Sequence, residues 1–325
     1  MRSTLPVIFA GMGAAFFYCS IFFHAGVGQL LWPLASIPLF MVTLSRPASD
    51  GLLALAGAGV LVSLFSLLGV FPANTLQTFG GFLLSIGVPA LLAGMTHQAL
   101  TTDGQPVRGE PLIALLIFLA LALFFISAGI FMLMGEPLHI LFGNLVTPLA
   151  ETMHQELKKL SNGQLSLSVA ELSRAITWQI AAFMPLAFVF IQGICLLISR
   201  WLLVGLTHYD APSVKLSPLQ FPIVISFLFF AMMAMYTYIL NQMPENPLGF
   251  YTSPVLTALA LPLAAQGGAS LYEKFIKNLS QAMRYGVYMG ILIMLVFMPL
   301  FTSMVLILLG VTNQLYMRKT KNNLK

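Results

Sequence analysis

The chain has 325 residues, of which 58% are hydrophobic and only 8% charged, with a formal net charge of +5. A soluble domain carries roughly a quarter charged residues. This composition therefore excludes a soluble enzyme, a nucleic-acid-binding domain and a disordered chain, and it implies a polytopic membrane protein.

A helix needs about 20 apolar residues to cross the hydrocarbon core, and an ionised side chain at mid-membrane costs at least about 2.5 kcal/mol. The uncharged runs therefore mark the spans. They predict an all-α fold: a polytopic helical bundle of about nine transmembrane helices (range eight to ten) with one amphipathic interfacial helix. In chain order the expected spans are 5–23, 28–44, 52–70, 77–97, 111–134, 175–200, 218–240, 253–272 and 286–310. The breaks at 24–28 and 71–75 hold Gly or Pro beside polar residues, the expected turn chemistry. Arg2 precedes the first apolar run, but no small-residue cleavage site follows, so 5–23 is read as an uncleaved helix. The expected organisation is an N-terminal bundle of five spans over 1–135, a hydrophilic segment over 136–174, a C-terminal bundle over 175–317 and a basic tail over 318–325, all one membrane domain.

Within the hydrophilic segment an amphipathic helix is expected at 148–162. Thr147 is placed as its N-cap, Pro148 at its first position and Gly163 at its close. Leu149, Met153, Leu157 and Leu160 share one face, and Lys158 and Lys159 lie late, where the helix dipole favours cations. Ser168 and Glu171 have the spacing of a capping box opening the next helix, and Trp178 suits the membrane interface.

Orientation follows from Lys and Arg placement. If the last apolar run folds back near Pro299, the N-in, C-in arrangement puts twelve basic residues on the cytoplasmic side and three opposite; a single crossing gives eight against seven. The double crossing satisfies the charge rule, which implies an inner-membrane protein with a cytoplasmic C-terminus.

No motif carries chemistry. Glu151 and His154 are one helical turn apart, with Glu156 and His139 nearby, but no second ligand pair accompanies them, so no metal site is expected. Serine-nucleophile and nucleotide-binding loops are absent, and no carboxylate lies in a span. The expectation is a non-enzyme without catalytic residues or cofactor. Cys19 and Cys195 lie in apolar runs and read as packing. The substrate-path candidates are neutral: Gln29, Trp32, Gln192, Gln266, Gly267 and Gly268. The last three follow Pro254 and Pro262, which predicts an irregular or closely packed segment. Ala10 with Ala14, and Gly286 with Gly290, are candidates for close helix packing.

Three stretches carry a resemblance: "WPLASIPLFMV" near the start, "LAAQGGASLYEKF" at 263–275 and "LLGVTNQLYMRK" at 308–319. Together they resemble the YybS-like family, bacterial polytopic membrane proteins grouped as a domain of unknown function. Asn313 departs from that pattern, which has an acid there. The family's N-terminal part is similar in character to substrate-binding subunits of energy-coupling-factor transporters, which dock on a membrane partner through small residues of the first helix. The resemblance thus implies such a role for Ala10 and Ala14. The expected function is small-molecule transport, or a substrate-binding membrane subunit with a partner; the alternatives are a non-transport scaffold or assembly factor and, third, a membrane enzyme. The expected partners are the lipid bilayer, a partner subunit or further copies of the chain, and an unidentified small molecule, with no nucleic acid.

Overall fold

A computed structural model describes residues 4–23, 28, 31–69, 75–100, 107–161, 167–207, 214–215, 219–297 and 299–323. In chain order the helices are α1 (Leu5–Phe23), α2 (Ser36–Ser45, entered through a 3-10 turn Trp32–Ala35), α3 (Ala48–Leu67), α4 (Thr75–Phe82), α5 (Val88–Leu100), α6 (Gly109–Leu133), α7 (Leu138–Leu160), α8 (Val169–Thr207), α9 (Val224–Gln242), α10 (Leu248–Leu271), α11 (Gln281–Phe297) and α12 (Pro299–Asn323). A π turn, Leu83–Gly87, joins α4 to α5, and another, Tyr272–Ile276, follows α10. The one departure from all-α architecture among the described residues is a parallel pairing of two-residue strands, β1 (Val107–Arg108) with β2 (Val214–Lys215).

The protein is an all-helical, multi-span membrane protein. Among the described residues seven helical segments are long and apolar enough to cross a membrane. Among the described residues two further apolar helical stretches are shorter, Trp32–Ser45 and Phe301–Tyr316. The run over 286–310 is divided between α11 and α12.

By internal packing the chain forms two units: Met1–Leu119 with Phe188–Lys215, and Ala120–Ala187 with Leu216–Lys325. The second half of α8 belongs with the first unit and its first half with the second.

In the first unit α1 packs on α3 and α2 on α5. Small residues set both contacts. A side-chain carbon at Gly11 would press to 2.7 Å from the Ala54 carbonyl oxygen, and one at Gly94 would collide with Thr43, whose hydroxyl donates to the Ala90 carbonyl at 3.2 Å. Phe40, Phe82, Leu39 and Ile86 fill the core between these backbones. The Ser199 hydroxyl on α8 donates to the Ile37 carbonyl at 3.1 Å, and the Cys195 thiol lies 3.2 Å from the Pro33 carbonyl.

In the second unit α6 ends at a left-handed glycine. Gly135 has φ +82; its amide donates to Met132 O at 3.2 Å, and Glu136 donates to Phe131 O at 3.1 Å. This pair of bonds satisfies the last carbonyls of the helix, and the positive φ suits glycine because it has no Cβ. Pro137 then leads into α7. That helix begins ten residues before the expected 148–162. Pro148 lies inside it, and Thr147 is not a cap: its hydroxyl bonds back to the Gly143 carbonyl at 2.8 Å. Burial of Leu138, Val146 and Ala150 holds the earlier turns in the helix. The expected closing residue, Gly163, lies outside the described residues. The start of α8 is the expected capping box. Ser168 N donates to Glu171 Oε2 at 2.7 Å, and Glu171 N donates to Ser168 Oγ at 3.2 Å. Phe124, Ala128, Leu138, Trp178, Ala181, Ile239 and Phe250 form the apolar centre of this unit. The Trp178 ring lies so close to Gly249 that a Cβ there would collide with it.

Candidate functional site

The residues singled out in the sequence do not converge on one place. Gln29 lies outside the described residues. Trp32 opens the 3-10 turn and is half-buried against the core of the first unit. Gln192 is buried in that same unit; its Nε2 donates to the Ser85 carbonyl at 2.9 Å, within the π turn, while its Oε1 has no hydrogen-bond partner among the described residues. Ala10 and Ala14 are also buried there, in a core that includes Ala54 and Ala58 of α3. Ala10 and Ala14 are thus covered by the chain's own helices. Gly286 and Gly290 have no neighbour within 4 Å of where a side chain would begin, so the close packing expected at this pair is not found among the described residues.

Gln266, Gly267 and Gly268 lie in a regular helix, so of the two arrangements expected, irregular or closely packed, the irregular one does not occur. The helix continues past Pro254 and Pro262 to Leu271. Close packing does occur, at one of the two glycines. A side-chain carbon at Gly267 would collide with the Leu306 carbonyl of α12 and lie 3.1 Å from Gly310 N, and one at Gly310 would collide with the Leu263 carbonyl. Gly268 has open space around it. Beside this contact runs a buried polar chain. Gln266 Oε1 accepts from Gln314 Nε2 at 3.1 Å and from Phe221 N at 3.3 Å, and Gln314 Oε1 accepts from the Ser226 hydroxyl. In hydrocarbon an unpaired amide is costly, and these side chains pair with one another across α9, α10 and α12. The arrangement is a helix clamp. Gln314, Ser226 and Gly310 are its missed members; the "LLGVTNQ" stretch holds two of them but carries no sign of which helix they meet.

A different place in the second unit has the shape and chemistry of a binding site. The first three turns of α7, the first three turns of α8 and the link between α9 and α10 border an open cleft of about 560 Å³. Small-molecule sites occupy about 300–1,000 Å³ and combine apolar walls with a few polar groups. Here Ile140, Val169 and Trp178 supply apolar surface, and Asn144, Ser173 and Arg174 supply polar groups. The Thr147 and Ser173 hydroxyls on opposite walls lie 3.4 Å apart. His139 Nδ1 is 3.2 Å from the Tyr251 hydroxyl, and burial pushes the His139 pKa below its usual value. Arg174 lies 3.9 Å from Glu245. A cleft of similar size in the first unit is lined by leucine, valine and Phe79 with Ser63, and offers little to orient a polar ligand. The polar cleft was not visible in the sequence because its residues lie in three separated stretches of ordinary polar types; the cues were Arg174 and Trp178 closing a hydrophilic segment.

Among the described residues no three His, Cys, Asp or Glu side chains are grouped to hold a metal ion. Comparison with protein families, with curated proteins and with solved structures returns no match.

Proposed function

We propose that this protein binds a small organic molecule in the polar cleft of its second unit, and acts as a transporter or as the substrate-binding membrane subunit of one. The cleft carries this reading: its volume of about 560 Å³ and its lining of Trp178, Ile140, Asn144, Ser173 and Arg174 suit capture of a molecule with both apolar and polar parts. Neutral hydroxyls and amides orient such a ligand without the cost of burying further charge. With no nucleotide-binding loop in the chain, any ATP use would come from a partner. The reading keeps the YybS-like kinship as a proposal, and with it residence in a bacterial inner membrane. It takes α11 and α12 as two crossings, so that Trp32–Ser45 and these helices bring the spans to ten and leave the C-terminus cytoplasmic.

The test is mass spectrometry of small molecules that co-purify with the chain in neutral-lipid nanodiscs. A Gly143→Phe variant fills the cleft, since Gly143 lines it and has open space at its Cβ position. A small molecule retained by the native chain and lost from G143F supports the reading; identical contents in both sink it. A second reading, a scaffold or assembly factor, is favoured by the close-packed core of the first unit, where Ala14, Cys19, Ala35, Phe40 and Ala58 are wholly or almost wholly buried. It predicts a stable protein partner and no small molecule. A membrane enzyme ranks third.

A further inference from the structure

We propose that the ligand of this cleft carries an oxyanion, a carboxylate or phosphate ester on an apolar body, and that Arg174 is its counter-ion. The proposal rests on the cleft being the binding site. Three titratable side chains line it: His139 from α7, Arg174 from α8 and Glu245 from the link between α9 and α10. His139 pairs with Tyr251, and burial favours its neutral form. Glu245 is 89% exposed and approaches Arg174 only to 3.9 Å, whereas the Arg174 side chain is 31% exposed. An ion pair with one partner so exposed is weak, and salt screens it. Glu171, one turn earlier on the same helix, also feels the Arg174 charge but is itself bonded to Ser168, so the guanidinium is only loosely engaged by its own chain. A guanidinium presents two parallel N–H donors that match an oxyanion far better than a single distant contact does. Trp178 lies one helical turn beyond Arg174 on the same helix, and Ile140 lines the facing wall. Together they offer apolar surface to the body of a ligand whose head sits on Arg174. The Ser173 hydroxyl stands beside the head, 3.4 Å from Thr147 Oγ1, whose own proton goes to the Gly143 carbonyl.

Two sources could supply this chemistry, a free amphipathic acid and the headgroup of an anionic lipid, and the test separates them. The full chain carries Trp32→Phe and Trp201→Phe, leaving Trp178 as the only tryptophan of the three. In phosphatidylcholine nanodiscs it is titrated with 3-phenylpropanoate, 3-phenylpropylammonium and 3-phenylpropan-1-ol, and Trp178 emission is read. Saturable binding of the propanoate, at least about tenfold tighter than the ammonium, is expected; a tenfold ratio is one step of about 1.4 kcal/mol. Arg174→Gln should bring the anion to the level of the alcohol, Arg174→Lys should keep the preference for the anion, and Glu245→Gln should tighten the anion by removing its competitor. The titration is repeated at high salt, which screens the disc surface, in discs containing phosphatidylglycerol. Competition there assigns the site to a lipid headgroup, and unchanged binding assigns it to a soluble acid. If alcohol and anion bind equally and R174Q changes neither, the oxyanion proposal is overturned while the cleft stands as a site. If none of the three probes gives a saturable signal and G143F behaves as the native chain, the cleft reading itself falls.

Discussion

Gln266 on α10 and Gln314 on α12 share a 3.1 Å hydrogen bond, Nε2 to Oε1, with both side chains buried. The same Oε1 takes the Phe221 amide. One oxygen thus satisfies two donors that would otherwise be stranded. Replacing Gln266 with leucine should cost roughly 1–3 kcal/mol, the usual penalty for leaving a buried polar group unpaired. A double-mutant cycle with Gln314→Leu should give a coupling of about 0.6–1.7 kcal/mol. Thermal unfolding of the purified chain measures both, and strictly additive losses would contradict a direct bond.

The glycines beside this bond should differ sharply. Gly267→Ala and Gly310→Ala each drive a methyl group into a facing carbonyl, and overpacking of this kind costs about 1–3 kcal/mol. Gly268→Ala meets nothing within 4 Å and should leave stability unchanged or slightly higher. Equal effects at 267 and 268 would show that the helices do not meet as described.

Ser168→Ala removes the hydroxyl that accepts from Glu171 N at the start of α8. Loss of such a cap costs about 1 kcal/mol. Faster hydrogen exchange at the first amides of α8, with no change in the middle of the helix, is the expected local signature.

His139 gives a pH dependence. Its pKa is lowered by burial, so the folded state resists the proton that the unfolded chain accepts near pH 6.5. The stability it contributes is complete above pH 6.5 and is lost as pH falls through the depressed folded value. The melting temperature should therefore drop below pH 6.5 in the native chain and drop less in His139→Asn.

For topology, a reporter that fluoresces only in the cytoplasm, fused after Lys325, should light up. A dark fusion with an active periplasmic reporter in its place would reverse the orientation.

Elements governed by local chemistry were legible. The expected 5–23 and 111–134 closely match Leu5–Phe23 and Gly109–Leu133, because uncharged runs bounded by charge or glycine punctuate themselves. The capping box was legible because Ser168 and Glu171 are three residues apart. Pro148 misled: proline suits a first helical turn, yet tertiary burial of Val146 and Ala150 carries the helix through it. The clamp was half legible. Gln266 and Gly267 stand out as polar and small residues in an apolar run, but their partners lie roughly forty or more residues away, and no periodicity points across that gap. The cleft was not legible, since it is formed where three ordinary polar segments meet.

The contact at Gly267 and Gly310 has a bearing on motion. Sliding α12 by one turn would set Gly310 against residues that carry side chains, bring another side chain onto Gly267 and break the bond between Gln266 and Gln314. Helices locked at backbone distance have discrete seats and not a continuum of positions. α10 and α12 therefore form a rigid post within their unit. Any change of shape that accompanies ligand entry must be taken up elsewhere, and the link at Glu245 and Asn246, which borders the cleft and ends where that post begins, is the joint at which to look for it.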